Sequence, residues 1–276
     1  MKPGSESEAG ESRRTDPRPL PSALTDEPLW RELDTHALAL FLDYDGTLAA
    51  LASHPDLAML SQETRDTLRR LAERVFTAIV SGRDRVDVER LVGLREIAYA
   101  GCHGLDIVGP HGRAVSHAAP AWITSRMTRI GERLRRTLSD AHGVLVESKA
   151  FSVAVHTRQA TNEGRTAAAV AVQQIVEADT QLAIGYGKEV VEVLPNIGWD
   201  KGTAVSILLA EAQRIQADAL PVYIGDDATD EAAFAVVKDR GVGILVNDVP
   251  RETKATHTLQ DPDEVRRFLG RVLESL

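Results

Sequence analysis

Asp43-Tyr44-Asp45-Gly46-Thr47-Leu48 follows directly on the apolar run Ala37 to Leu42. Two acids two residues apart at a strand end point the same way, and Gly46 lets the chain turn sharply behind them. One carboxylate of such a pair can attack an electrophile while its neighbour moves protons. An Asp-Gly turn with two solvated acids has the same spelling. Three further polar segments occupy equivalent places. Ser81, in Val80-Ser81-Gly82-Arg83, follows the run Val75 to Val80. It either caps the next helix, with Asp84 as the acid of a capping box, or holds a phosphate with its hydroxyl and the helix N-terminus. Lys201, in Trp199-Asp200-Lys201-Gly202, opens a helix, where the dipole slightly disfavours a cation and so weakens the case for a merely solvated lysine. Gly225-Asp226-Asp227-Ala228-Thr229-Asp230-Glu231 follows Val222 to Ile224. Its acids complement a helix dipole, or, joined by Asp43 and Asp45, they form a hard oxygen-donor site suited to Mg²⁺.

These segments need a scaffold that brings them together. Continuous apolar runs at Ala37–Leu42 and Val75–Val80 and a short one at Ile97–Ala100 predict buried strands, and helical spacing is read over Ser61–Glu73 and Asp84–Leu94. The rhythm returns with a helix over Lys201–Gln213, a strand over Val222–Ile224, a helix over Asp230–Val237, a strand over Val242–Val246 and a last helix from Asp261. Such alternation predicts a parallel sheet, whose ligands lie outside the carboxyl ends of the strands. The middle reads differently. Leu105–Val108 and Arg113–Ser116 flank Gly109-Pro-His-Gly112 as a hairpin. Strand pairs at Val144–Ser148 with Phe151–Thr157, and Leu182–Tyr186 with Glu189–Leu194, alternate with helices over Ala121–Ser139 and Glu163–Ala178. The expected fold class is α/β, a Rossmann-like parallel-sheet core domain (26–105 and 198–276) with an inserted α+β cap domain (106–197). Residues 1–25 carry four of the twelve prolines and almost nothing apolar, and read as a disordered tail.

Composition narrows the function. The 276 residues carry 32 basic and 41 acidic side chains, a net charge of −9, so the basic footprint of broad nucleic-acid binding is missing. Cys102 is the single cysteine, which rules out an intrachain disulfide and fits a reducing cytoplasm. No apolar run reaches membrane-span length, and the N-terminus lacks the apolar stretch of a secretory signal. A cytoplasmic enzyme for a small molecule is expected, with no nucleic-acid or membrane partner, as a monomer or weak oligomer.

Taken together, Asp43-x-Asp45-Gly46-Thr47, Ser81, Lys201 and Gly225-Asp226-Asp227 with Asp230 resemble the four-motif set of the haloacid dehalogenase-like phosphatases. Within them the chain is most similar to the trehalose-6-phosphate phosphatases, through Leu42–Leu48, Val80-Ser-Gly-Arg83, Gly101-Cys-His-Gly104, Glu147-Ser-Lys149, Gly187-Lys188 with Glu192, Lys201-Gly-Thr-Ala204 and Gly225–Glu231. The resemblance covers about 37–247. It implies a Mg²⁺-dependent phosphatase in which Asp43 is the nucleophile, Asp45 the acid and base, and Ser81 and Lys201 hold the phosphoryl oxygens. Mg²⁺ would be bound by Asp43, Asp226 and the main chain of Asp45, with Asp227 and Asp230 positioning Lys201 or metal-bound water. Thr47, Gly82, Arg83, His103 and Gly104 would line the substrate, and Glu147, Lys149, Arg158, Lys188 and Glu192 would grip its distal glucose.

Cap spacing agrees with that implication. Lys188 and Glu192, Glu147 and Lys149, and His156 and Arg158 each share a strand face by period-two alternation. A solvated face of paired charges would look the same. Glycines near Gly104 and at Asn196-Ile-Gly198 are expected to absorb the rotation of a closing cap. Two other classes share parts of the pattern: a phospho-accepting receiver domain, whose order of motifs and lack of a large insertion do not match, and a catalytically dead sugar-phosphate sensor, which would not need intact Asp43, Asp45, Lys201 and Asp226. Within the enzymes, the alternative substrates are sucrose phosphate, mannosylglycerate phosphate or another phosphosugar.

Overall fold

The computed structural model describes residues 19–52, 57–115, 120, 122–187, 189–247 and 249–276. The elements run α1 (Glu27–Leu33), β1 (Leu38–Leu42), α2 (Gln62–Ala72), β2 (Phe76–Val80), α3 (Arg85–Val92), β3 (Ala98–Gly101) and β4 (Asp106–Val108). Then come α4 (Trp122–Thr137), β5 (Leu145–Ser148), β6 (Val153–His156), α5 (Asn162–Glu177), β7 (Leu182–Gly187) and β8 (Val190–Pro195). The chain closes with α6 (Lys201–Ile215), β9 (Leu220–Gly225), α7 (Glu231–Val237), β10 (Val242–Val246), β11 (His257–Leu259) and α8 (Pro262–Ser275).

Seven strands form one sheet in the order β11-β10-β9-β1-β2-β3-β4, parallel except where β4 runs against β3. Every residue of β1 is buried. Leu38, Leu40 and Leu42 face a layer built with Leu68 and Leu71 of α2 and Phe268 and Leu269 of α8, whereas Ala39 and Phe41 face Val205 and Leu208 of α6 and Phe234 of α7. Helices on both faces explain why β1 is uniformly apolar rather than alternating. Because β1 lies between β9 and β2, the loops after these three strands meet at one edge. Asp43, Ser81 and Asp226 begin those loops.

Four strands form a second, antiparallel sheet in the order β5-β6-β8-β7. Its Val153, Val155 and Val193 pack on Ile123, Met127 and Leu134 of α4 and Ala168 and Val172 of α5. Cys102, Leu105 and Trp199 join that cluster, so this module is seated against the loop after β3 and the approach to α6. Among the described residues no helix is long and apolar enough to cross a membrane.

Three expectations change. The hairpin around Gly109–Gly112 does close, with Gly109 N donating to Arg113 O at 2.7 Å, but its first strand, β4, pairs with β3 in the larger sheet and not with the insertion. Ile107 is buried against Ala78 and Val80 of β2 and Leu209 of α6, and Arg113 bonds Glu211 of α6 at 2.6 Å. Strand periodicity identifies a hairpin without identifying the edge it joins. β4 and Val115 thus pack with the larger module and not with the insertion expected from 106, and Gly104 lies against Ala204 and Trp199. The tail reading of 1–25 also changes at its end: Ser22 bridges Thr258 and Ala23 is fully buried. Leu20, Ala23 and Leu24 were too few to read as a docking segment; residues 1–18 lie outside the described residues. Finally, α1 and β11 were not anticipated. The latter is a three-residue edge strand with no periodicity to detect.

Candidate active site

Asp43 leaves the end of β1 with its side chain 6% exposed, and Lys201, the first residue of α6, places Nζ 2.9 Å from Asp43 Oδ1 and 2.8 Å from Asp230 Oδ1. Asp200 caps α6 by accepting from Thr203 N at 2.9 Å, which fixes the turn that aims Lys201 inward. Burial draws the Lys201 ammonium down, but Asp43 and Asp230 outweigh it and raise it. Burial pushes the Asp43 carboxyl well above its ordinary range in spite of Lys201, and Asp230 and Asp226 add to the push. Asp226, on the neighbouring loop, is raised to about 6 by burial and then by Asp230. Carboxylate oxygens of Asp43, Asp226 and Asp230 lie within 4.8 Å of one another.

Glycines permit this crowding. Gly46 has φ +76, and a Cβ there would stand 1.9 Å from Asp226 Oδ2. A Cβ on Gly225 would come 2.4 Å from Asp230 Cγ. Three carboxylates sharing one Lys form a hard-oxygen cluster short of positive charge, and a divalent cation fits it. Asp230 contributes least to such an ion: Lys201 and Tyr223 take its Oδ1, and the Asp227 amide donates to its Oδ2 at 2.8 Å. Its Oδ1 is thus engaged by the Lys201 ammonium. Asp227 does not touch Lys201; it is exposed and caps its own turn by accepting from Ala228 N.

Asp45 is held differently, by a bidentate pair from Arg83 at 2.6 and 2.7 Å. Ser81 is buried beside β3, its amide bonded to Ala100 O and its hydroxyl accepting from Arg83 N at 3.2 Å. Thr47 is wholly buried, and its hydroxyl has no partner among the described residues, so it does not line the cleft surface. Cys102 and His103 carry positive φ values of 50° and 56°, which turn the chain after β3 and set the His103 ring against Gly82. A Cβ on Gly82 would stand 2.7 Å from His103 Cε1, and one on Gly104 2.6 Å from Ala204 Cβ. Burial and the charge of Lys201 push the His103 imidazole below its usual range, so it is neutral at pH 7.

The smaller sheet brings Glu147, Ala154 and Glu192 into one cross-strand row, with Leu145, His156 and Val190 in the next. Among the described residues that face carries an ion pair, Lys149 with Glu192 at 3.2 Å, and a hydrogen bond between His156 Nε2 and Glu147 at 2.8 Å. Burial draws the Lys149 ammonium down, but Glu192 and Glu147 outweigh it and raise it. Lys149 and Glu192 act electrostatically on His103, so this corner faces the Asp43 loop cluster. Arg158 instead pairs with Glu189 at the tip of the β7–β8 hairpin, at 3.1 Å, and is half exposed. Lys188 lies outside the described residues. Sequence reasoning missed Tyr223 and Arg251. The first is a core aromatic by pattern; the second donates to the main-chain oxygens of Asp226 and Asp227 at 3.4 and 3.1 Å from a loop with no motif.

A central parallel sheet with acids after β1, a buried Lys at the start of α6 and paired acids after β9 is the arrangement that the resemblance to haloacid dehalogenase-like phosphatases leads one to expect. A model of the trehalose-phosphatase family matches residues 41–265, and the chain belongs to that family. A trehalose 6-phosphate phosphatase of Zea mays is 38% identical over 268 residues, covering 91% of this chain and 74% of that protein. Trehalose-phosphate phosphatase B of Arabidopsis thaliana is 37% identical over 249 residues, covering 86% and 66%. Among solved structures, one described as a trehalose-6-phosphate phosphatase related protein superposes with TM-score 0.71 at 26% identity, covering 86% of this chain and 97% of that one. The C-terminal domain of a C. albicans trehalose-6-phosphate phosphatase shares the fold, with TM-score 0.73 at 22% identity over 92% and 98%. The chain is thus a phosphoric monoester hydrolase.

Proposed function

We propose that the chain hydrolyses trehalose 6-phosphate to trehalose and phosphate in a Mg²⁺-dependent reaction with an aspartyl-phosphate intermediate. The observation that carries this reading is the burial of Asp43 at the end of the central strand, between Lys201 and Asp226. In the first half-reaction an Asp43 carboxylate oxygen bonds to phosphorus as the P–O ester bond breaks. The departing sugar oxygen takes that electron pair and the proton of Asp45. In the second, Asp45 takes a proton from water, the water oxygen bonds to phosphorus, and the Asp43–phosphorus bond breaks to release phosphate. One group serves both halves because each leaves it in the state the other needs. Lys201 and Ser81 hold the transferring phosphoryl oxygens, where charge stabilisation counts most. Asp43 and Asp226 would hold Mg²⁺, which screens the anionic nucleophile from a dianionic substrate. The four-stranded module acts as the cap, with Lys149, Glu192 and Glu147 on the sugar.

The test is phosphate release from a panel of trehalose, sucrose and mannosylglycerate phosphates, with Mg²⁺ and with EDTA. Trehalose 6-phosphate should give the highest kcat/KM, EDTA should abolish turnover, and Asp43→Asn should do the same with an unchanged circular dichroism spectrum. Comparable rates on the other sugars would overturn the substrate assignment. Substantial activity in Asp43→Asn would overturn the mechanism.

A further inference from the structure

Arg83 is fixed on several sides. Its Nε donates to Asp45 Oδ2 at 2.6 Å and its Nη2 to Asp45 Oδ1 at 2.7 Å, while Nη1 reaches Asp87, in the first turn of α3, at 3.3 Å. The guanidinium carbon lies 5.4 Å from the centroid of the Tyr44 ring, and the side chain is 11% exposed. Asp45 is 34% exposed on its side chain, and among the described residues no other side chain bonds its carboxylate. Two parallel bonds fix both the direction and the plane of a carboxylate, which one bond to a lysine cannot do.

We propose that Arg83 is the positioning residue of Asp45 and not a ligand of the substrate phosphate, an inference that rests on the proton-transfer role given to Asp45 above. A carboxylate offers about four lone-pair sites, so an arginine fork that takes one on each oxygen leaves one on each for the travelling proton. Asp87 and the Tyr44 ring set the fork, and the fork sets the carboxyl. Without it, a carboxyl on the open side of the cleft rotates freely, and the leaving oxygen finds its proton donor misplaced. Misplacement of a general acid has a signature that loss of a phosphate ligand lacks. It harms poor leaving groups, which need the proton, and spares good ones, which do not.

The experiment measures kcat/KM at saturating Mg²⁺ for p-nitrophenyl, phenyl and methyl phosphates, because kcat/KM reports the steps through departure of the alcohol. Wild type, Arg83→Ala, Arg83→Lys, Asp87→Asn and Asp45→Asn are compared, with circular dichroism on each. Arg83→Ala should lose little on p-nitrophenyl phosphate and roughly 10–100-fold on the phenyl and methyl esters, approaching the steeper leaving-group dependence of Asp45→Asn. Arg83→Lys and Asp87→Asn should fall between wild type and alanine, and they carry the test if the alanine variant does not fold. An equal loss across the series would make Arg83 a phosphate ligand and overturn the proposal, as would no loss at all. A wild-type slope in Asp45→Asn would overturn the role of Asp45 itself, and the proposal with it. That failure is distinguishable because the Asp45 variant alone reveals it.

Discussion

Asp43, Asp226 and Asp230 share a buried corner in which, among the described residues, Lys201 is the cation paired with their carboxylates, and the consequence is a pH dependence of unusual sign. Most native carboxyls are better acids folded than unfolded, so proteins gain stability as pH rises through the acid range. Asp226 does the reverse. Its folded value is pushed up to about 6 from an ordinary 3.8, so between about pH 4 and pH 6 the metal-free folded chain keeps a proton that the unfolded chain has released. Stability contributed by this group is present below pH 4 and is lost as pH rises through 6. Asp43, pushed up by its own burial, adds to the loss in the same direction. A divalent cation binds the deprotonated acids and reverses the penalty by mass action. Thermal unfolding in EDTA should therefore show less metal-free stability at pH 7 than these groups allow at pH 5, and added Mg²⁺ should raise Tm much more at pH 7 than at pH 5. Asp226→Asn should raise the metal-free Tm at pH 7 and blunt the Mg²⁺ response. An equal Mg²⁺ shift at both pH values would mean that these acids do not hold the ion.

The four-stranded sheet separates its two faces by period two: valines of β6 and β8 lie on α4 and α5, and charges lie on the other side. Glu192 and Lys149 form the part of that charged face that acts on His103, and the proposed function puts them on a sugar attached to a phosphate at Asp43. Truncating Glu192 removes an acceptor and leaves Lys149 without its ion-pair partner. Glu192→Ala should lower kcat/KM for trehalose 6-phosphate by roughly 10–1000-fold, the range of one or two lost charged hydrogen bonds, and change p-nitrophenyl phosphate hydrolysis far less. Equal losses on both substrates would make the face structural. The alternation behind this argument was readable in the sequence, as were β1, β2, β9 and β10, because buried parallel strands are spelled as apolar runs and the loops after them carry the chemistry. Two things were not. The edge that β4 joins depends on Ile107 finding β2 and α6, a long-range choice that local pattern does not encode. The Arg83–Asp45 fork spans 38 residues, and motif spacing gives no hint of which cation takes which acid. Arg158 shows the same limit: expected to share a strand face with His156, it lies in the turn after β6, and its partner, Glu189, was not legible.

At the scale of the whole molecule, the four-stranded module is seated on the larger one through a shared apolar cluster. Lys149 has a 19% exposed side chain and feels the charge of Asp84 across the boundary, while Cys102, Leu105 and Trp199 extend the cap's apolar cluster into the core. If this module caps the site, it is expected to lift and reseat during each turnover to admit a disaccharide phosphate. Reseating also excludes water, which an aspartyl-phosphate route requires until the sugar has left. The described connection that would bear that motion is Asn196-Ile-Gly198. Gly198 has φ +67, a conformation of low cost only to glycine, and no atom within 4 Å of where a Cβ would stand, so its backbone is unobstructed. Gly104, with φ +101, is instead wedged against Ala204 and Trp199 and is a poor pivot. X-ray scattering of the free enzyme should give a larger radius of gyration than scattering with Mg²⁺, a phosphate-site inhibitor and trehalose at saturation. Gly198→Ala, strained by about 1 kcal/mol at positive φ, should shift the free population and alter kcat, while Gly112→Ala, equally strained but on the core-edge hairpin, should leave both unchanged. A single radius of gyration under all these conditions would mean that the cap is fixed and that the sugar reaches Asp43 by another path.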